Sequence, residues 1–179
     1  MNPGPSGRGR RGWTLIGADV LICLAWAGSV WAALHLEPGP GIRTVALFAH
    51  LGALVIGLGA VLTIDYYGTL WLLGRRSLHQ VLEFAGPLHV PVWAGLAGLV
   101  LSGAALDPDP RVPLTQVKLV LVLLIALNGV HAQVLHRTMV DQAGTRPSRR
   151  LLGRAVISAV VSQLGWWGAL TIGFLNSQS

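Results

Sequence analysis

Charge is scarce in this 179-residue chain: 11% of residues are Asp, Glu, Lys or Arg, while 53% are hydrophobic. So little polar surface cannot cover a water-soluble domain of this size, which removes the soluble globular classes. Cysteine occurs once, at Cys23, so no intramolecular disulfide, CxxC metal site or CxxCH covalent haem attachment can form. Methionine is confined to Met1 and Met139, which withholds the soft ligands that copper-handling sites often draw on. The chain has no HExxH, GxSxG or P-loop motif and no strand-borne dinucleotide fingerprint, which argues against hydrolase and soluble nucleotide chemistry.

What is abundant is apolar length. Five stretches, each at or above the roughly 20 residues that a bilayer crossing needs, take up most of the chain. They read as Trp13 to Leu36, Thr44 to about Leu73, Gly86 to Leu106, Leu114 to about Leu135 and Leu151 to Leu175. Breakers separate them: Glu37-Pro38-Gly39-Pro40-Gly41, Asp107-Pro108-Asp109-Pro110 and Arg146-Pro147-Ser148. The 23 glycines, scattered through apolar runs, suit helices that pack closely in lipid.

The basic residues orient this chain. Arg8, Arg10, Arg11, Arg75, Arg76, Arg137, Arg146, Arg149, Arg150 and Arg154 flank one side of the spans, against Arg43 and Arg111 on the other. Lys and Arg are retained in cytoplasmic loops, so the amino terminus is expected in the cytoplasm and the carboxyl terminus outside. The net charge of +6 is then a topology signal with anionic lipid as its neighbour, and nucleic acid is excluded as a partner. The basic start followed by an apolar run resembles a secretory signal, but roughly 24 apolar residues exceed the 7–15 of a signal core. Asp19 falls near the cytoplasmic end of the first span, where water reaches it; the alternative is a buried functional carboxylate.

Ionisable side chains inside spans are costly and mark functional sites. His50 lies six positions from the outer end of its span, roughly 9 Å in, and Lys118 four positions from the outer end of its own, roughly 6 Å in. They share the outer leaflet. His89 opens the third span on the cytoplasmic side, and His131 lies near the cytoplasmic end of the fourth, with Asn128 one turn before it and Asp65-Tyr66-Tyr67 at a similar level. Neutral imidazole is an axial ligand for haem iron, and facing helices can hold a flat macrocycle in a bundle core. Gly57 and Gly68 follow His50, Gly52 and Gly59 thin the adjacent face, and Gly95, Gly98 and Gly103 follow His89, leaving room for a macrocycle or for plain helix contact. Lys118 either supplies a countercharge or snorkels to the surface. A histidine-only copper site is the competing metal reading, and a non-catalytic membrane subunit or scaffold is a third.

The block from Phe48 to Arg137 carries a resemblance. Ala49-His50-Leu51-Gly52 opens one helix, Pro87 and Gly103 bracket the next, and Lys118-Leu119-Val120-Leu121-Val122-Leu123-Leu124 leads to Gly129-Val130-His131. This pattern resembles the small bacterial membrane protoporphyrinogen oxidases and the related membrane domain of copper-resistance D-type proteins, over about half the chain. The resemblance implies a helical bundle carrying b-type haem, with functional positions falling on His50 and Lys118, and with His131 matching a later histidine of the lysine helix. The chain departs from the oxidase pattern where it reads Thr63-Ile64-Asp65-Tyr66-Tyr67-Gly68 in place of a Pro-Arg pair, and an additional helix precedes the shared block.

The expectation is an all-α integral membrane protein, a five-transmembrane-helix bundle of the bacterial cytoplasmic membrane. It comprises a basic cytoplasmic tail over residues 1–12, one membrane domain over 13–175 and a short external tail over 176–179. The expected function is b-type haem binding for electron transfer or oxidation of a membrane-soluble substrate such as a porphyrinogen, with quinone as a natural acceptor. His50 is the expected axial ligand and Lys118 the countercharge for a propionate or substrate carboxylate. His89 and His131 form an alternative or second ligand pair, with Asn128 beside them, and the division between leaflets allows two haems. A second copy of the chain or a larger membrane complex is an open partner.

Overall fold

The computed structural model describes residues 6–106, 109, 111–142 and 147–176, with side chains described from Gly12 onward. The breakers at 107–108 and 110, Arg146 and the tail from 177 to 179 lie outside the described residues, as do residues 1–5. Five α-helices make up the fold: α1 (Ser6–His35), α2 (Pro40–Leu72), α3 (Leu78–Ala104), α4 (Pro113–Asp141) and α5 (Arg149–Asn176). All five are long and apolar enough to cross a membrane, and no strand occurs among the described residues.

Every helix except α3 begins within a few residues of its apolar run or, for α1, one to two turns before it. α3 begins at Leu78, eight residues ahead of the expected Gly86, because Ser77 and Gln80 form a capping box there. The Ser77 hydroxyl accepts from the Gln80 amide at 3.2 Å and the Gln80 side chain accepts from the Ser77 amide at 3.0 Å. His89 is therefore eleven residues into α3 rather than at its start. The preceding helix stops through backbone geometry: Gly74 takes φ of 69°, with its amide donating to Trp71 O at 2.9 Å and the Arg75 amide donating to Leu70 O at 2.8 Å. These are the two bonds of a Schellman turn, and the left-handed residue is the one glycine accommodates.

Contacts between named residues show that consecutive helices run antiparallel. α2 and α3 meet along Gly57–Gly95, Ala53–Gly98 and His50–Gly103. α4 and α5 meet along Lys118–Gly173, Leu121–Gly168 and Ile125–Gly165, and α3 meets α4 at Trp93–Gly129. Two ends result: a basic end carrying Arg75, Arg76, Arg149 and Arg150, and an opposite end carrying Arg43 and Arg111. Leu58, Val61, Leu96, Ile125 and Trp166 form the central apolar core, with Trp166 only 2% exposed. A second cluster of Leu82, Leu135, Met139 and Leu151 closes the basic end. α1 contributes nothing to either cluster and leans on α3 and α4 from outside, with Trp26 Nε1 donating to Leu119 O at 3.0 Å.

Glycine here serves contact at the helix crossings. A Cβ on Gly57 would stand 3.2 Å from the Gly95 Cα and 2.8 Å from the Trp166 ring, and one on Gly95 would overlap the Gly57 backbone. Of the two uses the glycines allow, macrocycle space or helix contact, Gly57, Gly95 and Gly98 serve contact, because the neighbouring helix fills the space beside them. Gly52, Gly59 and Gly68 meet nothing within 4 Å.

Candidate functional site

The opposite end holds the first polar centre. His50 projects from α2 one turn beyond the core residue Leu54, and its Nδ1 lies 2.9 Å from the Ser102 hydroxyl on α3. That hydroxyl has a single proton, and it donates to Gly98 O. In that arrangement Ser102 accepts from His50 Nδ1, the tautomer that keeps a lone pair on Nε2. A Cβ on Gly103 would lie 3.5 Å from the imidazole, so the ring packs on bare helix backbone. Lys118 enters the same end of the bundle from α4. Its ammonium stands 3.4 Å from where a Gly173 Cβ would be, so the glycine makes its seat on α5. One turn away, buried Thr115 accepts from Asn176 Nδ2 at 3.3 Å.

The second centre lies toward the basic end and pairs different residues from those expected. His89 packs against His136, with ring centroids 5.0 Å apart and planes tilted by 55°. His89 Nδ1 donates to Ala85 O at 3.0 Å, which leaves its Nε2 as an acceptor. His136 falls outside the apolar run that the sequence shows, one residue past Leu135. The available signal was its position five residues after His131, on a helix whose polar terminus continues to Asp141.

His131 points elsewhere, toward α1. Its Nε2 is 3.4 Å from Asp19 Oδ2, and its side chain is 52% exposed. The expected His89–His131 pair is replaced by His89–His136 because five helical residues rotate the side chain well away from the His131 face. Asn128 is consumed structurally: its Nδ2 donates to Ser158 O at 2.9 Å and its Oδ1 accepts from the Ser158 hydroxyl at 3.0 Å, tying α4 to α5. Its two ends therefore hold a helix rather than a cofactor. Asp65 of α2 accepts from Gln163 of α5, whose Oε1 accepts from Trp167 Nε1 at 2.8 Å.

These geometries separate the haem positions. Joint axial ligands must sit on opposite faces of a porphyrin, and the His89 and His136 rings lie too close together for a macrocycle between them. That pair does not fit. The chemistry of His50 suits a metal ligand, because an imidazole anchored through one nitrogen is the form that ligates metal. Lys118 offers the positive charge a propionate needs. For copper, no group of three or more His, Cys, Asp or Glu placed to hold a metal ion occurs among the described residues. No family model, curated protein or solved structure matches this chain.

Proposed function

We propose that this protein is a b-type haem-binding integral membrane protein of the bacterial cytoplasmic membrane, working in electron transfer or in oxidation of a lipid-soluble substrate. What supports the reading is the His50–Ser102–Gly98 chain, which holds the imidazole by Nδ1 at the end of the bundle that Lys118 enters. The resemblance to membrane protoporphyrinogen oxidases and copper-resistance D-type domains falls on the same two residues, His50 and Lys118.

Haem supplies one-electron chemistry when bound. His50 would hold the iron when haem is bound, and Ser102 keeps the imidazole from turning. Lys118, seated over Gly173, neutralises a propionate or orients a substrate carboxylate, so it is both a binding group and the candidate catalytic charge. The apolar core beneath, from Leu58 to Trp166, keeps water from the deep side of the site.

The test is a reduced-minus-oxidised spectrum with haem-to-protein ratios. Wild type is expected to show a b-type difference spectrum; His50→Ala loses most of the haem, while Lys118→Ala keeps the ligation signature but retains haem less firmly. Full haem content in His50→Ala overturns the assignment, and stoichiometric copper without a Soret band replaces it with the copper reading. Porphyrinogen oxidation is tested by rescue of cells lacking their own protoporphyrinogen oxidase.

A further inference from the structure

We propose that Asp19 and His131 form a binding site for the headgroup of an isoprenoid quinone, open to lipid between α1 and α4. The proposal rests on the redox reading above but uses none of its residues.

Depth comes first. Asp19 is six residues past Trp13, on the order of 9 Å into its span, and His131 is four residues before Leu135, where the apolar run of α4 gives way to His136 and Arg137, on the order of 6 Å in. An ionisable pair at such depth is expensive to keep. Simple helix clasping does not account for it, because Asp19 Oδ1 is shut off from solvent yet has no hydrogen-bond partner. Asn128 and Ser158 show what a finished clasp looks like in this bundle: both ends of the amide are satisfied. The Asp19 pair is left incomplete, and a buried polar atom without a partner needs a functional account.

Access comes next. About half of the His131 side chain is open on a helix long and apolar enough to cross a membrane, so a group carried in the lipid can meet that edge. Phospholipid headgroups stay at the interface, above this level. A quinone carries its polar ring into the acyl region and approaches laterally.

The chemistry then matches. His131 turns Nε2 toward Asp19, and in the tautomer with its hydrogen on that nitrogen the Nδ1 lone pair accepts from a quinol hydroxyl. Protonated on both nitrogens, the same ring donates to a quinone carbonyl while Asp19 balances its charge. A site able to accept in one state and donate in the other suits a ligand that exists as both quinol and quinone.

A photoreactive azidoquinone with a short isoprenoid tail tests the site on the purified full-length protein in lipid nanodiscs. The label is expected on α1 and α4 peptides containing Asp19 and His131, competed by unmodified quinone. His131→Ala and Asp19→Asn should each weaken competable labelling about tenfold, the worth of one buried hydrogen bond. His50→Ala should leave labelling intact even where haem is lost, which separates failure of this proposal from failure of the haem reading. Maleimide reaction at Cys23, exposed one turn beyond Asp19, reports whether α1 stays docked. Absent or non-competable labelling of wild type, or labelling unchanged in both variants, overturns the proposal. So does a rise in Cys23 reactivity in the variants with no quinone labelling in wild type, which assigns the pair to helix docking alone.

Discussion

At the scale of single residues, what a polar side chain does in this bundle depends on whether its bonding is complete. Asn128 and Ser158 satisfy each other, so Asn128→Ala removes two interhelical bonds and should cost about 1 kcal/mol, since such bonds in membrane bundles average roughly 0.6 kcal/mol each. Thermal unfolding in detergent measures this, and the haem content is expected to stay unchanged. Ser102→Ala should do the reverse: the loss of one hydroxyl frees His50 to rotate, so the difference spectrum shifts or broadens while the melting temperature moves little. His50, Lys118 and Asp19 were legible in the sequence because charge stands out against apolar neighbours. The partners Ser102, Gly173 and His136 were not, because a small polar residue, a glycine and a histidine beyond an apolar run carry no signal until helix rotation is known.

At the scale of helices, hydropathy found all five spans but read only the lipid-soluble part of each. The helices continue until a cap ends them, which is why α3 gains eight residues from Ser77 and α4 runs on to Asp141. The same continuation moved His89 from a helix end to its interior. Glycine spacing was visible, but its use was ambiguous between cofactor space and contact, and the backbone overlap of Gly57 with Gly95 decides for contact. Gly95→Leu therefore has nowhere to put its side chain and should separate α2 from α3, with loss of folded protein in detergent. Gly52→Ala, whose added methyl meets nothing, should be stable to within about 0.5 kcal/mol.

At the scale of the whole molecule, the alternation of five antiparallel spans puts the two termini on opposite sides of any membrane the bundle crosses. We expect a reporter fused after Ser179 to be external and one placed between Arg75 and Glu83 to be cytoplasmic, following the ten basic residues that flank one side. A cytoplasmic signal from the carboxyl-terminal fusion would remove the five-span arrangement.

The dry core around Trp166 has an electrical meaning. His50 and Lys118 lie beyond it toward one end, and Asp19, His131, His89 and His136 toward the other, with the apolar side chains of Leu58, Val61, Leu96 and Ile125 packed between. In an energised membrane the voltage falls across such an insulating layer, at about 2.3 kcal/mol per elementary charge per 100 mV. Any net charge exchanged between the two ends therefore moves through part of that field, and its equilibrium answers to the membrane potential as well as to the chemistry at either end.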